Sequence, residues 1–131
     1  MSIFNAIGVA GTGVTVYRKW LDAVSDNIAN LNTVSRTSEK AFQARYVVAQ
    51  EAQDGNGAQV AGVQFGSAQG ILAYEPDNPL ADSQGYVKYP DIDLGDQMTQ
   101  LMMAQRGYQA NLSVVERATN AYQAALQLGK G

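Results

Sequence analysis

Residues 3–31 read IFNAIGVAGTGVTVYRKWLDAVSDNIANL, and apolar side chains recur through them in alternating steps of four and three: Ile3, Ile7, Ala10, Val14, Tyr17, Leu21, Val24, Ile28 and Leu31. A mean period of 3.5 residues keeps one narrow stripe of a helix turned toward a partner helix. The last third of the chain repeats the rhythm at Leu94, Met98, Leu101, Gln105, Tyr108, Leu112, Val115, Thr119, Tyr122 and Leu126. Two such stripes predict an α+β fold, mainly α. Long N- and C-terminal helices pack as a coiled coil, and a small β-hairpin and loop segment lies between them. The expected divisions are a helix in 1–33, a β-rich and loop segment in 34–92, and a helix in 93–131. Stripes of this kind suit a subunit that packs against neighbours. The candidate contact residues are Ile3, Ile7, Val14, Tyr17, Leu21, Val24, Ile28 and Leu31 at one end, with Met98, Leu101, Gln105, Tyr108, Leu112, Val115, Tyr122 and Leu126 at the other.

Composition narrows the function. The 131 residues include no Cys, so neither a disulfide framework nor a thiolate site is possible, and no His, the commonest general base and transition-metal ligand. An enzyme is not expected, and no cofactor or metal is implied. Net charge is −3, which argues against nucleic acid as a partner. The charge is uneven. Residues 51–96 carry Glu51, Asp54, Glu75, Asp77, Asp82, Asp91, Asp93 and Asp96 against Lys88 alone, a balance of −7, and the remainder stands at +4. The asymmetry fits either a solvated acidic loop region or an acidic centre that meets basic helix faces of another subunit. No run of about 18 apolar residues suggests a transmembrane helix. The N-terminus lacks the basic and apolar regions of a cleavable secretory signal.

The first helix, about 43 Å long if unbroken at 1.5 Å per residue, is interrupted by Gly8, Gly11 and Gly13. Each costs roughly 1 kcal/mol relative to Ala in a helix interior, so this part is expected to be marginal alone and ordered by partners. A polar stretch from Asn30 to Ser38 ends it. Strands are predicted within 41–50, around Val60, Val63 and Phe65, in 70–74 and in 86–89. Asp54-Gly55-Asn56-Gly57 marks a tight turn between the first two. Pro76 and Pro79 exclude a central strand or helix interior between them. Asp93 is the expected N-cap of the last helix, which runs to about Leu128 with Gly129 just past its end.

Other constellations have plainer explanations. Asp91, Asp93 and Asp96 lack the central Gly and terminal Glu of a calcium loop, and helix capping accounts for them. Asp77 and Asp82 beside two prolines are turn formers rather than an acid–base pair. The glycine-rich 8–13 follows no strand and lacks the Lys of a phosphate loop. Met98, Met102 and Met103 fit helix packing or an adaptable binding surface. Gln105 and Thr119 stand where apolar residues are expected, and such polar positions can fix register. Tyr17, Tyr108 and Tyr122 on the stripes would need hydroxyl partners once buried.

Three stretches carry a family resemblance. Residues 25–33, SDNIANLNT, resemble the N-I-A-N-x-x-T motif of bacterial flagellar axial proteins through Asn27, Ile28, Ala29, Asn30 and Thr33. Residues 74–93, YEPDNPLADSQGYVKYPDID, resemble a block of the C-type proximal rod proteins through Asn78, Pro79, Ala81, Asp82, Gly85, Tyr86 and Val87. Residues 108–111, Tyr-Gln-Ala-Asn, resemble a Y-Q-A-N in the family's last helix. The chain departs from many axial proteins after Thr33, where Val34 and a polar stretch precede Phe42, and residues 51–70 match no motif.

The resemblance implies a structural subunit of the proximal rod of the flagellar basal body, exported through the type III apparatus without a cleaved signal. It implies polymerisation into a hollow helical drive shaft that transmits torque and conducts exported subunits. Expected partners are other rod proteins, the export-gate adaptor, the export apparatus and copies of the chain itself. The alternatives are another axial subunit, or a helical binding module such as an export chaperone. The amides of the Asn27 to Thr33 motif are expected either to cap the helix or to bond backbone or neighbouring subunits.

Overall fold

A computed structural model describes residues 2–130; Met1 and Gly131, at the limits of the two expected helical segments, lie outside the described residues. The order is α1 (Ile3–Ala29), β1 (Arg45–Glu51), β2 (Ala58–Phe65), β3 (Ile71–Tyr74), β4 (Tyr86–Tyr89) and α2 (Leu94–Gly129). Ser2 caps α1, its Oγ accepting the amide of Asn5 at 3.1 Å, and Asp93 caps α2 through the amide of Asp96 at 2.7 Å. Helix α1 ends two residues before the predicted Leu31. Asn30 is its C-cap, and the Asn30 amide group donates back to Asp26 O at 2.9 Å, so Leu31 lies in the following turn. Gly129 also differs from expectation: it is the last helical residue and Lys130 the cap, still right-handed, so no glycine terminates α2.

The helices pair antiparallel. Phe4 meets Tyr122 edge-on with ring centroids 4.8 Å apart, Gly13 meets Asn111, Tyr17 meets Gly107, and Trp20 Nε1 donates to Gln100 Oε1 at 3.3 Å. Asn27 meets Gln97. The coiled-coil packing is therefore present, but the buried face is rotated from the predicted stripe. On α2 the fully buried residues are Gln97 and Ala104, whereas Leu94, Met98, Gln105 and Leu126 are exposed. The reason is steric. The backbones approach closely where Gly13 and Gly107 lack side chains, and an apolar rhythm does not register glycine, alanine or paired amides. A Cβ at Gly13 would stand 2.5 Å from Asn111 Oδ1, and one at Gly107 would run into the Tyr17 ring.

Strands β1 and β2 form an antiparallel hairpin with a bulge between Val48 and Ala49. The turn falls at 52–57 as expected, with Gly55 and Gly57 at φ +73° and +105°. The hairpin lies along α1. Thr12 Oγ1 donates to Val9 O at 2.6 Å and accepts the amide of Ala58 at 3.1 Å, which ties the hairpin to the glycine-rich part of the helix. Two open grooves of about 220 and 270 Å³ remain between hairpin and helix. Strands β3 and β4 form a second antiparallel pair, bridged to the linker by reciprocal 2.9 Å backbone bonds between Ser35 and Lys88. Val87 is fully buried there. Among the described residues no helix is long and apolar enough to cross a membrane.

Candidate subunit interface

Behind the helix pair lies a buried polar joint. Asn27 is wholly enclosed; its Oδ1 accepts the Arg45 amide at 2.8 Å and its Nδ2 donates to the Arg45 carbonyl at 2.9 Å. Nδ2 also donates to Gln97 Oε1 at 3.0 Å. One side chain of the first motif thus pins α1 to the start of β1 and to α2. Its amide is saturated inside the chain and does not bond neighbours, whereas Asn30 and Thr33 cap locally, Thr33 Oγ1 donating to Asn30 Oδ1 at 3.1 Å. Gln97 Nε2 is buried without a partner, a cost of about 1–3 kcal/mol. The Asp26–Arg45 ion pair beside the joint has both side chains about half exposed and adds little.

The rotated packing leaves an apolar flank. Ile7, Val14, Leu21 and Ile28 each follow an inward position by one residue, as do Met98, Gln105, Leu112 and Thr119 on α2. In an antiparallel pair such positions fall on the same side of both helices. The register set by Gly13 on Asn111 and Asn27 on Gln97 brings Ile28 within about 3 Å of the level of Met98, and likewise Leu21 of Gln105, Val14 of Leu112, and Ile7 of Thr119. These rungs recur about every 10 Å along the helices. The β1–β2 hairpin covers the opposite side, burying Val16 and Ala23. The candidate contact residues therefore divide. Tyr17, Val24, Leu101, Tyr108, Val115 and Tyr122 sit toward the helix–helix seam, while Ile7, Val14, Leu21, Ile28, Met98, Gln105 and Leu112 form the flank. Ile3 is half-buried near the start of α1, Leu126 is exposed beyond the Phe4–Tyr122 contact, and Leu31 lies off the helix. Sequence periodicity missed Gly13, Trp20, Gln97, Ala104, Gly107 and Asn111. A glycine inside an otherwise sturdy helix, as at Gly107, was the available signal.

The second motif closes the β3–β4 turn on itself. Asp82 Oδ1 accepts the amides of Gln84 and Tyr86 at 2.9 and 3.0 Å, and Thr37 Oγ1 donates to its Oδ2 at 2.9 Å. Asn78 Nδ2 and the Tyr89 hydroxyl donate to Glu75 at 2.8 and 2.7 Å. Gly85, at φ +87°, fits against Tyr74 and Pro76, where a Cβ would stand 2.8 Å from the Tyr74 ring. The Tyr89 and Asn78 donors hold the Glu75 carboxyl below its ordinary 4.5. The Tyr86 amide does most to lower Asp82 below 3.8, and Glu75 raises Tyr89 above 10.0. These ionisable groups brace a turn. Among the described residues no cluster of three or more carboxylates is placed to hold a metal ion, and Asp93 and Asp96 serve the α2 start, Asp96 Oδ2 accepting Gln100 Nε2 at 3.0 Å.

The whole chain aligns with proteins named flagellar basal-body rod protein FlgC. It is 35% identical to the one from Salmonella typhimurium (strain LT2) over 134 aligned positions, covering 99% of this chain and 100% of that protein. The chain belongs to the FlgC family of flagellar basal-body rod proteins. The FlgC of Escherichia coli O6:H1 is 36% identical with the same coverage, and that of Borreliella burgdorferi is 29% identical across the full length of both chains. Residues 83–128 match the family model for the flagellar basal body rod FlgEFG protein C-terminal region. That match takes in the turn from Gly85 onward and nearly all of α2, including Gln97, Gly107 and Asn111. FlgC proteins are structural components rather than enzymes.

Proposed function

We propose that this chain is a structural subunit of the proximal flagellar rod and that the flank of Ile7, Val14, Leu21, Ile28, Met98 and Leu112 is where it joins its neighbours. The observation that carries the proposal is the apolar overhang: each helix carries a wider stripe than the pair buries, and the surplus lies on the side the hairpin leaves open. Shared burial of such surface contributes about 25 cal/mol per Å², and many interlocked copies would resist shear. Contacts of this kind, repeated without closing, build a helical shaft able to transmit torque and conduct exported subunits. The neighbours are other rod proteins, copies of this chain and the export-gate adaptor, and delivery is by the type III apparatus without a cleaved signal.

Deleting the gene in the source organism and imaging basal bodies by electron microscopy tests the role. Membrane rings without rods, hooks or filaments are expected, with rods restored by the wild-type gene and not by a Val14→Glu, Leu112→Glu variant. Flagella that persist after deletion would overturn it.

A further inference from the structure

We propose that Asn56 is a modification site: it deamidates spontaneously through the Gly57 amide, and the altered backbone lifts the hairpin tip off α1. The chemistry belongs to the chain itself and is independent of assembly. Cyclisation at an asparagine needs the amide nitrogen of the next residue to be free, unhindered and in contact with water. The chain has eight asparagines, and only Asn56 is followed by glycine. Asn56 is exposed in the turn between β1 and β2, and the Gly57 amide has no acceptor among the described residues. Gly57 also carries no side chain to obstruct the ring.

At the other asparagines the next amide is engaged or missing. Ala6 donates to Ser2 O at 3.0 Å, Leu31 to Ile28 O at 3.2 Å and Thr33 to Asn30 O at 3.1 Å. Ile28, Leu112 and Ala121 lie inside helices, where each N–H is bonded one turn back. Pro79, after Asn78, has no N–H at all. The neighbouring Asp54–Gly55 pair is held as well, the Gly55 amide donating to Ala52 O at 2.8 Å.

In the reaction the Gly57 nitrogen loses its proton to water and bonds to Asn56 Cγ. The Cγ–Nδ2 bond breaks, and the amide nitrogen takes up a proton and leaves as ammonia. Water then opens the succinimide. Cleavage at Cγ gives aspartate, whereas cleavage at the α-carbonyl gives an isoaspartyl link with one more backbone atom and a free α-carboxylate. That extra atom has no room. Gly57 packs on Thr12 so closely that a Cβ would run into the Thr12 hydroxyl. The same hydroxyl accepts the Ala58 amide at 3.1 Å. Displacing Gly57 breaks this bond, so the tie between the hairpin and the glycine-rich stretch of α1 is lost as the protein ages.

The full-length protein is held in neutral buffer at physiological temperature beside a synthetic peptide of its residues 50–60. Both are followed by mass spectrometry, with isoaspartyl forms separated by chromatography. Conversion at Asn56, and at no other asparagine, is expected within about threefold of the peptide's rate. In the isoaspartyl protein the Ala58 amide should exchange with deuterium about tenfold faster than in fresh protein, as one hydrogen bond is lost. Asn56→Gln, whose longer side chain closes a ring far more slowly, should age without either change. Freshly purified Asn56→Asp gains the charge without the extra atom and should leave Ala58 exchange near that of fresh wild type. Asn56 still intact once the peptide has converted, or an unchanged Ala58 amide in the isoaspartyl protein, would overturn the proposal. Equal loosening by Asn56→Asp would rule out the lengthened backbone as its cause.

Discussion

The two ends of the helix pair are built on opposite principles. At one end Asn27, Gln97 and the Arg45 backbone knit three elements through buried amides, with Val24 enclosed beside them. At the other, the start of α1 is held by the Ser2 cap, its glycine-rich stretch by the Thr12–Ala58 bond, and its Phe4 touches Tyr122 from the side. Beyond Tyr122, every described residue of α2 is exposed, Leu128 at 84%. The lesson is one of division. The amide joint specifies a single arrangement of helices and hairpin within the chain, and the glycine-rich end is held by more exposed contacts.

The largest effect should come from the joint. Asn27→Ala removes three hydrogen bonds and leaves the Arg45 backbone and Gln97 Oε1 unpaired in the interior, a loss of about 3 kcal/mol measurable by urea unfolding. A loss under 1 kcal/mol would show that the joint does not organise this end. Next, Gly107→Ala forces the Tyr17 ring outward and should cost about 1–3 kcal/mol in the same assay, despite the better helix propensity of Ala.

The glycine-rich end should respond with the opposite sign. Gly8 and Gly11 have nothing within 4 Å of an added Cβ, so Gly8→Ala with Gly11→Ala should stabilise by roughly 1–2 kcal/mol. Gly13→Ala must instead displace Asn111 and should destabilise. If the double variant assembles at lower concentration in sedimentation, marginal helix order is the brake on premature polymerisation; an unchanged assembly threshold would place the brake elsewhere. Gln105→Leu fills the polar gap in the flank beside Leu21 and should strengthen self-association about fivefold, with looser register, read by sedimentation and by the spread of thiol cross-link positions. A unique register in that variant would remove Gln105 as a register residue.

The smallest effect is that of pH on the β3–β4 turn. Glu75 and Asp82 have lowered folded pKa values, so their contribution is present above the ordinary carboxyl range near 4.5 and 3.8 and is lost as pH falls through the folded values. Tyr89 is raised, so its contribution is complete below pH 10.0 and lost as pH climbs through its folded value. Amide hydrogen exchange at Gln84 and Tyr86 should loosen on acidification before the Arg45 amide does. Simultaneous loosening would mean that the turn and the joint open as one unit.

Much of this was legible in the residues. Asp93 before an apolar rhythm is a capped helix start, Asp54-Gly55-Asn56-Gly57 is a hairpin turn, and each of the four strands overlaps a predicted segment. The N-I-A-N motif named the joint without its partners, because Asn27 reaches Arg45 and Gln97 across 18 and 70 residues of chain. The α2 stripe misled for a related reason. Its apolar members mix residues that face α1, such as Tyr122, with flank residues such as Met98, and periodicity alone cannot divide them.

From the sequence alone came the helix–strand order, the paired terminal helices, the turn chemistry and the family, because these depend on local propensity and on patterns within a few residues. Only the tertiary structure decided which face of each helix turns inward. That choice belongs to Gly13 under Asn111, Gly107 under Tyr17 and the paired amides of Asn27 and Gln97. Close backbone approach and buried hydrogen bonds outweigh the burial of a few more methylenes, and the apolar surface they displace is left on the outside of the helix pair.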